Sequence, residues 1–146
     1  MVFIEGHTHH SGEELKNAVI QGLKGSASPS SSLSPSSVQL LSNDASLDVR
    51  AKVMGEFRDG LCSVLLCGDG GARGLDIPGV NCVIQLSLPS SVDTYLHRAG
   101  RTGRLGREGK VITLTAPGED FVVQRLSNEL YIEIKERKLK TKKKSE

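Results

Sequence analysis

No apolar run in the 146 residues approaches the roughly 20 that a membrane-spanning helix needs. Met1 leads straight into Val2-Phe3-Ile4, with neither the basic stretch nor the cleavage site of a secretory signal. There are only three cysteines, Cys62, Cys67 and Cys82. Their number is odd and their spacing fits no zinc framework. Each lies in or beside an apolar run, so they read as reduced core cysteines of an intracellular chain. The phosphate loop Gly-x-x-x-x-Gly-Lys-Ser/Thr is absent, so this chain cannot by itself build the usual triphosphate cradle. A global excess of positive charge is lacking too. The net charge of +2 hides an asymmetry. Residues 135–146 hold seven basic and two acidic residues, whereas the remainder holds twelve basic and fifteen acidic. An anion site in the body must therefore be local. The basic end is either a solvated tail or a source of salt-dependent attraction to nucleic acid. A hydrophobic fraction of 37% and a charged fraction of 25% suit one globular domain with a real core and some polar tail or linker.

What is present in excess is arginine and glycine between His97 and Gly109. Arg98, Arg101, Arg104 and Arg107 recur every third residue, and each is followed two places later by a glycine. Arginine offers a rigid, permanently charged fork suited to phosphate oxygens, and glycine lets backbone and ligand approach closely. A collagen fragment is excluded because no long proline-rich run accompanies the triplets. Two readings remain: a phosphate-binding loop or helix start within a fold, or an Arg-Gly-rich disordered RNA-binding tract. The apolar segments on both sides favour the first.

Around that stretch, strands and helices alternate. Met1–Ile4 reads as a buried strand. The following loop carries His7, His9 and His10, either a polar loop or, with no carboxylate or cysteine to complete it, a metal site. A helix fits residues 12–23, with Leu15, Val19, Ile20 and Leu23 on one face, Ser11 as cap, and Glu13 and Glu14 in the first turn. Residues 25–37 are serine-rich, with too little apolar surface to offset chain entropy, and read as a flexible inserted loop. Ser28 and Ser34 each precede a proline there, as accessible phosphorylation sites do. Val38–Leu41 is a second strand. A helix over 46–58 sets Leu47, Arg50, Val53, Met54 and Phe57 on one stripe, with Arg50 either snorkelling at a rim or aimed at a ligand. Further strands fit 62–67, 81–88 and 110–115. A short helix starts at Ser90, and a last helix covers 119–130 with Val122, Leu126 and Leu130 in register.

Short strands buried on both faces and separated by helices predict a doubly wound parallel sheet. In such sheets ligands bind at the carboxyl ends of the strands. Residues 68–76, bearing Asp69, Arg73 and Asp76 among glycines, leave the third strand. His97–Arg104 lies on the connection leaving the fourth. A carboxylate can hold ribose hydroxyls and arginines can hold phosphates, so together these stretches suggest a nucleotide or nucleic-acid site.

Ala72-Arg73-Gly74-Leu75-Asp76-Ile77-Pro78 resembles motif V of the DEAD-box RNA helicases, and His97-Arg98-Ala99-Gly100-Arg101-Thr102-Gly103-Arg104 resembles their motif VI. The resemblance extends from Met1 to about Leu130. It implies a three-layer α/β/α open parallel sheet, the second RecA-like domain of a helicase, over residues 1–130, followed by a basic disordered tail over 131–146. The wording of residues 105–109 is similar to plastid members of the family. The family implies a two-domain motor that hydrolyses ATP with Mg2+ and separates RNA duplexes. The first domain carries the phosphate loop and the Asp-Glu-Ala-Asp box, so this chain alone is expected to be inactive. By resemblance Arg101 and Arg104 would be arginine fingers on the γ-phosphate. Gly74 and Asp76 would contact ATP, Asp76 at its ribose. His97 would couple to the first domain, Arg98 would be structural or interdomain, and Arg107 would be a surface arginine. RNA contacts would come from Thr8, Arg50, Gly68 and Asp69. The implied partners are RNA and the first RecA-like domain, with no membrane, in a monomer.

Three departures bear on RNA. The family's Gln-x-x-Arg is here Leu47-Asp48-Val49-Arg50, so only the arginine matches. The Thr-Asp that opens motif V is Gly68-Asp69, which lacks a hydroxyl. The His-Gly after the second strand is Ser42-Asn43. Weaker or altered contact with the RNA backbone, without sequence readout, is expected. The competing readings are a free-standing RecA-like module that binds RNA or docks on another helicase, and a DNA-acting relative.

Overall fold

The computed structural model describes residues 1–4, 11–25, 35–72 and 80–138. The described chain divides into two compact units, Met1–Thr115 and Ala116–Glu146. In the first unit the elements run β1 (Val2–Phe3), α1 (Gly12–Gly25), β2 (Val38–Leu41), α2 (Leu47–Arg58), β3 (Val64–Cys67), α3 (Asp69–Ala72), β4 (Cys82–Gln85), α4 (Val92–Ala99) and β5 (Lys110–Thr113). A short 3-10 turn, Pro35–Ser37, leads into β2. The serine-rich segment 26–34 with Ser28 and Ser34, the histidine trio and Thr8, the motif V residues 73–79, and the tail from 139 onward lie outside the described residues.

The five strands form one parallel sheet in the order β2-β3-β1-β4-β5. The registers are continuous: Val2 lies between Leu66 and Ile84, and Phe3 between Cys67 and Gln85. The chain leaves β1 for the β2 edge, returns to β3, then crosses β1 to reach β4 and β5. The first two connections travel in opposite directions across the sheet. Parallel crossovers share one hand, so their helices fall on opposite faces, and the alternation of the strands shows it. Phe3, Leu41, Leu65, Cys67 and Val83 form one core with Val53, against which Met54 and Phe57 of α2 pack. Val2, Val38 and Leu66 form the other, covered by Val19, Ile20 and Leu23 of α1. Fully buried apolar side chains such as Phe3 and Leu65 each contribute about 1.5–3 kcal/mol.

The helix signals read from the sequence are realised in detail. Ser11 Oγ accepts from Glu14 N at 3.2 Å while Glu14 Oε2 accepts from Ser11 N at 2.7 Å, a reciprocal capping box. Ser46 caps α2, its Oγ accepting from Val49 N. One expectation fails: Leu47 is 83% exposed, because the first turn of α2 precedes the part that covers the sheet. The strands are also shorter than the apolar runs that mark them. Cys62 and Ser63 approach β3 in a turn, with Cys62 N donating to Glu56 O and Ser63 N to Ser37 O.

In the second unit α5 spans Asp120–Leu130. Glu119 Oε2 accepts from Ala116 N at 2.7 Å ahead of it. Its end is closed by Tyr131 in the left-handed region and by Ser127 Oγ donating to Ile132 O at 2.6 Å. Residues 132–138 carry no regular structure. No helix among the described residues is long and apolar enough to cross a membrane.

The buried cysteines make stability pH-dependent. Burial pushes the Cys67 thiol from an ordinary 9.0 up to about 12, and burial also raises Cys62. The unfolded chain loses these protons first as pH rises. The stabilising contribution is therefore complete below about pH 9 and is lost on the way to pH 12, at up to about 1.4 kcal/mol per pH unit for a single group. Urea midpoints are expected to fall steadily from pH 8.5 to 10.5, and less steeply in Cys67→Ala. A flat profile across that range would contradict this account.

Candidate functional site

Order reversal at β1 places the carboxyl ends of β3, β1 and β4 side by side, the position at which open parallel sheets bind ligands. In this chain that crevice is bridged by one guanidinium. Arg98, on α4, is fully buried. Its Nε donates to Asp69 Oδ1 and its Nη2 to Asp69 Oδ2, both at 2.7 Å. Its Nη1 donates to Gln85 Oε1 at 3.2 Å and Ser87 O at 3.3 Å. The Phe3 ring lies 5.4 Å beneath it, close enough for a cation–π contact. Gln85 Nε2 passes the network on to Thr113 Oγ1 at 3.2 Å. One side chain thus ties the end of β1, the turn after β3, the end of β4 and, through Gln85, β5. A buried charge is tolerated only when paired and hydrogen-bonded, and the bidentate carboxylate meets that condition. The expected structural role of Arg98 is accounted for by these contacts.

Local chemistry then aims the next two arginines. Ser91 caps α4, its Oγ accepting from Thr94 N at 3.1 Å. At the far end the helix tightens: Arg101 N bonds Arg98 O and Thr102 N bonds Ala99 O. That extra turn brings Arg101 onto the His97 face, where Arg101 Nη2 and His97 Nε2 stand 2.7 Å apart. Arg101 is 8% exposed. Thr102 Oγ1 donates to Val80 O at 2.5 Å, which pins the loop to the residue that follows segment 73–79. Arg104 folds back, with Nε donating to Gly100 O at 2.6 Å. The loop closes on itself at Gly109, where an added Cβ would collide with Gly103 N and Thr102 Oγ1, so a side chain has no room. Gly103 itself sits at φ +66, a conformation that favours glycine. Arg101, Arg104, Arg107 and Glu108 line one small open recess with Val80 and Asn81. Arg107 is exposed, as a surface arginine should be, yet it borders the same recess. Three guanidiniums against one carboxylate suit a polyphosphate oxygen cluster.

A second group of expected residues gathers one strand away. Gly68 and Asp69 begin the turn after β3, and Asp69 directs its carboxylate to Arg98. Arg50 Nη2 donates to Gly71 O at 3.1 Å, so the arginine that interrupts the apolar stripe of α2 reaches this turn. Thr8, Gly74 and Asp76 lie outside the described residues. Among the described residues no three His, Cys, Asp or Glu side chains gather to hold a metal ion.

Gln85 and Thr102 were not singled out by the sequence reading. A glutamine within an otherwise apolar buried strand was the available signal for the first. For Thr102, whose partner is a backbone carbonyl, there was none.

A family model described as helicase conserved C-terminal domain matches residues 23–106, more than half of the chain and inclusive of Arg101 and Arg104. This chain belongs to the helicase C-terminal domain family, of the DEAD-box type. It is 44% identical over 89 residues to the DEAD-box ATP-dependent RNA helicase CshC of Bacillus cereus, covering 61% of this chain and 23% of that protein. It is 44% identical over 88 residues to DEAD-box ATP-dependent RNA helicase 6 of Oryza sativa, covering 60% of this chain and 18% of that one. The chain thus spans about a fifth of the length of the curated relatives it matches.

Among solved structures, the fold is similar to the E. coli DEAD-box protein SrmB, solved with the regulator of ribonuclease activity A. The TM-score is 0.70 at 28% identity, over 99% of this chain and 80% of that one. It is also similar to S. cerevisiae Dbp5 bound to RNA and ADP BeF3, with a TM-score of 0.62 at 28% identity, over 87% of this chain and 31% of that one. The five-stranded parallel sheet flanked by helices is therefore that of a DEAD-box C-terminal RecA-like domain.

Proposed function

We propose that this domain is the closing half of an ATP-dependent RNA helicase. It meets ATP held by a first RecA-like domain and contributes two arginine fingers, Arg101 and Arg104. The observation that carries this is their shared recess: in the loop that leaves α4, Arg101 and Arg104 line the same small open space, with Arg107 and Glu108 at it too. Arginine suits this task because its planar fork stabilises charge on a transferring phosphoryl group. When bound, ATP with Mg2+ supplies the phosphoryl group. The ion falls to the first domain, since among the described residues the recess offers one carboxylate, Glu108. His97, in contact with Arg101, is placed to couple the finger to the first domain. Gly74 and Asp76 would hold the nucleotide, Asp76 at its ribose.

RNA is met at the turn after β3 by Arg50, Gly68 and Asp69, and Thr8 would add a hydroxyl. Arg50 has one of its five donors engaged by Gly71 O, leaving a fork for phosphate. The carboxylate of Asp69 is occupied by Arg98, so its share of RNA contact is assigned to its backbone amide. Dbp5, similar in fold, was solved with RNA and ADP BeF3, which supports both ligands for this one.

The test compares ATP turnover, with and without single-stranded RNA, of this chain alone and of this chain joined to the phosphate-loop domain of its parent. The chain alone is expected to be inactive and the joined protein to be stimulated by RNA and not by DNA. A joined protein that binds RNA but never turns over ATP would support a non-catalytic RNA-binding or docking module. Stimulation by DNA alone would support a DNA-acting relative.

A further inference from the structure

The three glycines of the turn after β3 share one neighbour. A Cβ at Gly68 would stand 2.9 Å from Asn43 Oδ1 and 3.0 Å from its Nδ2. A Cβ at Gly70 or at Gly71 would stand 3.3 Å from the same Oδ1. Real side chains do not approach as closely as the value at Gly68, so the Asn43 amide occupies the space that a side chain at position 68 would take. Asn43 follows β2, is exposed, and its side-chain amide makes no hydrogen bond among the described residues. Arg50 reaches the same turn through Gly71 O. A neutral amide and a guanidinium therefore converge on one glycine run.

We infer that Asn43 is an RNA-binding residue of this domain, its Nδ2 donating to a backbone phosphate beside Arg50 in place of the hydroxyl that position 68 lacks. The inference rests on the RNA-helicase reading above. Two departures from the family pattern then explain each other. Glycine at 68 removes a hydroxyl but opens the volume, and asparagine at 43, where glycine is usual, brings a donor into that volume from the neighbouring strand end. An amide suits the role because it donates to phosphate oxygens without reading a base. It can also rotate to present its NH2 once the ligand arrives. Packing alone would not select for it, since an apolar side chain would cover the glycines equally well.

The test is binding of a fluorescein-labelled uridine oligonucleotide to the 146-residue chain, followed by anisotropy at low salt. Chemical-shift titration of side-chain NH2 groups accompanies it. Asn43→Gly is expected to weaken binding about tenfold, the range for a hydrogen bond to a charged group. Asn43→Asp is isosteric and should weaken it further, because a carboxylate repels phosphate. Adding Gly68→Thr to Asn43→Gly should recover most of the loss, and the Asn43 NH2 resonances should move on titration. Unchanged urea midpoints in Asn43→Asp separate binding from folding. If the wild-type chain binds RNA and both single variants bind equally well, the inference is overturned while the helicase reading stands. If the wild-type chain binds no RNA at all, the inference and the RNA reading fall together.

Discussion

Arg101→Ala and Arg104→Ala, each made in the full-length parent, are expected to lower RNA-stimulated ATP turnover by about a thousandfold or more, the usual worth of an arginine finger. ATP binding should stay within a few-fold of wild type, because the proposed function assigns the phosphates and the metal chiefly to the first RecA-like domain. The two variants should not be equivalent in stability. Arg101 is 8% exposed and hydrogen-bonded to His97, so its truncation also loosens the end of α4. Arg104 is more accessible, and one contact of its guanidinium is with Gly100 O in its own loop. Its loss should cost less stability than that of Arg101. Arg104→Ala is thus the cleaner measurement and Arg101→Lys its companion, since lysine keeps the charge and loses the fork. Wild-type turnover in Arg104→Ala with an intact fold would sink the finger assignment. A rise in ATP KM with kcat unchanged would assign these arginines to ground-state binding instead.

Arg98→Met is expected to destabilise the domain by roughly 2–3 kcal/mol, below the cost of breaking a fully buried ion pair because the Asp69 side chain is 32% exposed. The magnitude follows from what is left behind. The Asp69 carboxylate loses both its 2.7 Å bonds, and Gln85, itself fully buried, loses a donor. Ser87 O loses a partner as well. The measurement is the urea midpoint of the 146-residue chain. Asp69→Asn keeps the shape of the partner and removes its charge, so it should cost less. The pair should also be strongly non-additive in a double-mutant cycle, as contacting residues are. A loss below about 1 kcal/mol in Arg98→Met would show that a methionine packed on Phe3 replaces the network. Arg98 links the turn after β3 to α4, so activity should fall with stability in this variant. In Arg104→Ala the two should part.

Much of this architecture was open to a reader of residues alone. The stripe of Val19, Ile20 and Leu23 reports a helix because its period matches the helical turn, and those residues do cover one face of the sheet. Ser46 and Ser11 mark helix starts because capping is a contact over three residues. The run Val64–Cys67 reads as buried on both faces because no polar residue breaks it. Arg50 stood out for the same reason in reverse: a charge within an apolar stripe needs a destination, and the turn after β3 supplies one. Where local pattern misled, geometry was the cause. Leu47 fits the stripe of α2 but lies ahead of the sheet it would have covered.

The sequence by itself determined the parallel alternating fold, the family and the pairing of two phosphate-seeking stretches, because periodicity, caps and contiguous motifs are properties of neighbours along the chain. Residue chemistry alone left four arginines equal within the run from His97 to Gly109, and only the resemblance to the family set Arg101 and Arg104 apart. The tertiary structure supplies the physical surroundings that distinguish them. One is sealed against a carboxylate 29 residues earlier, and the other three line one recess, of which Arg101 is buried and Arg107 exposed. It alone, too, brought Asn43 against Gly68. Both distinctions depend on the strand order β2-β3-β1-β4-β5, which sets distant segments side by side. No pattern confined to a few neighbouring residues encodes which segments those will be.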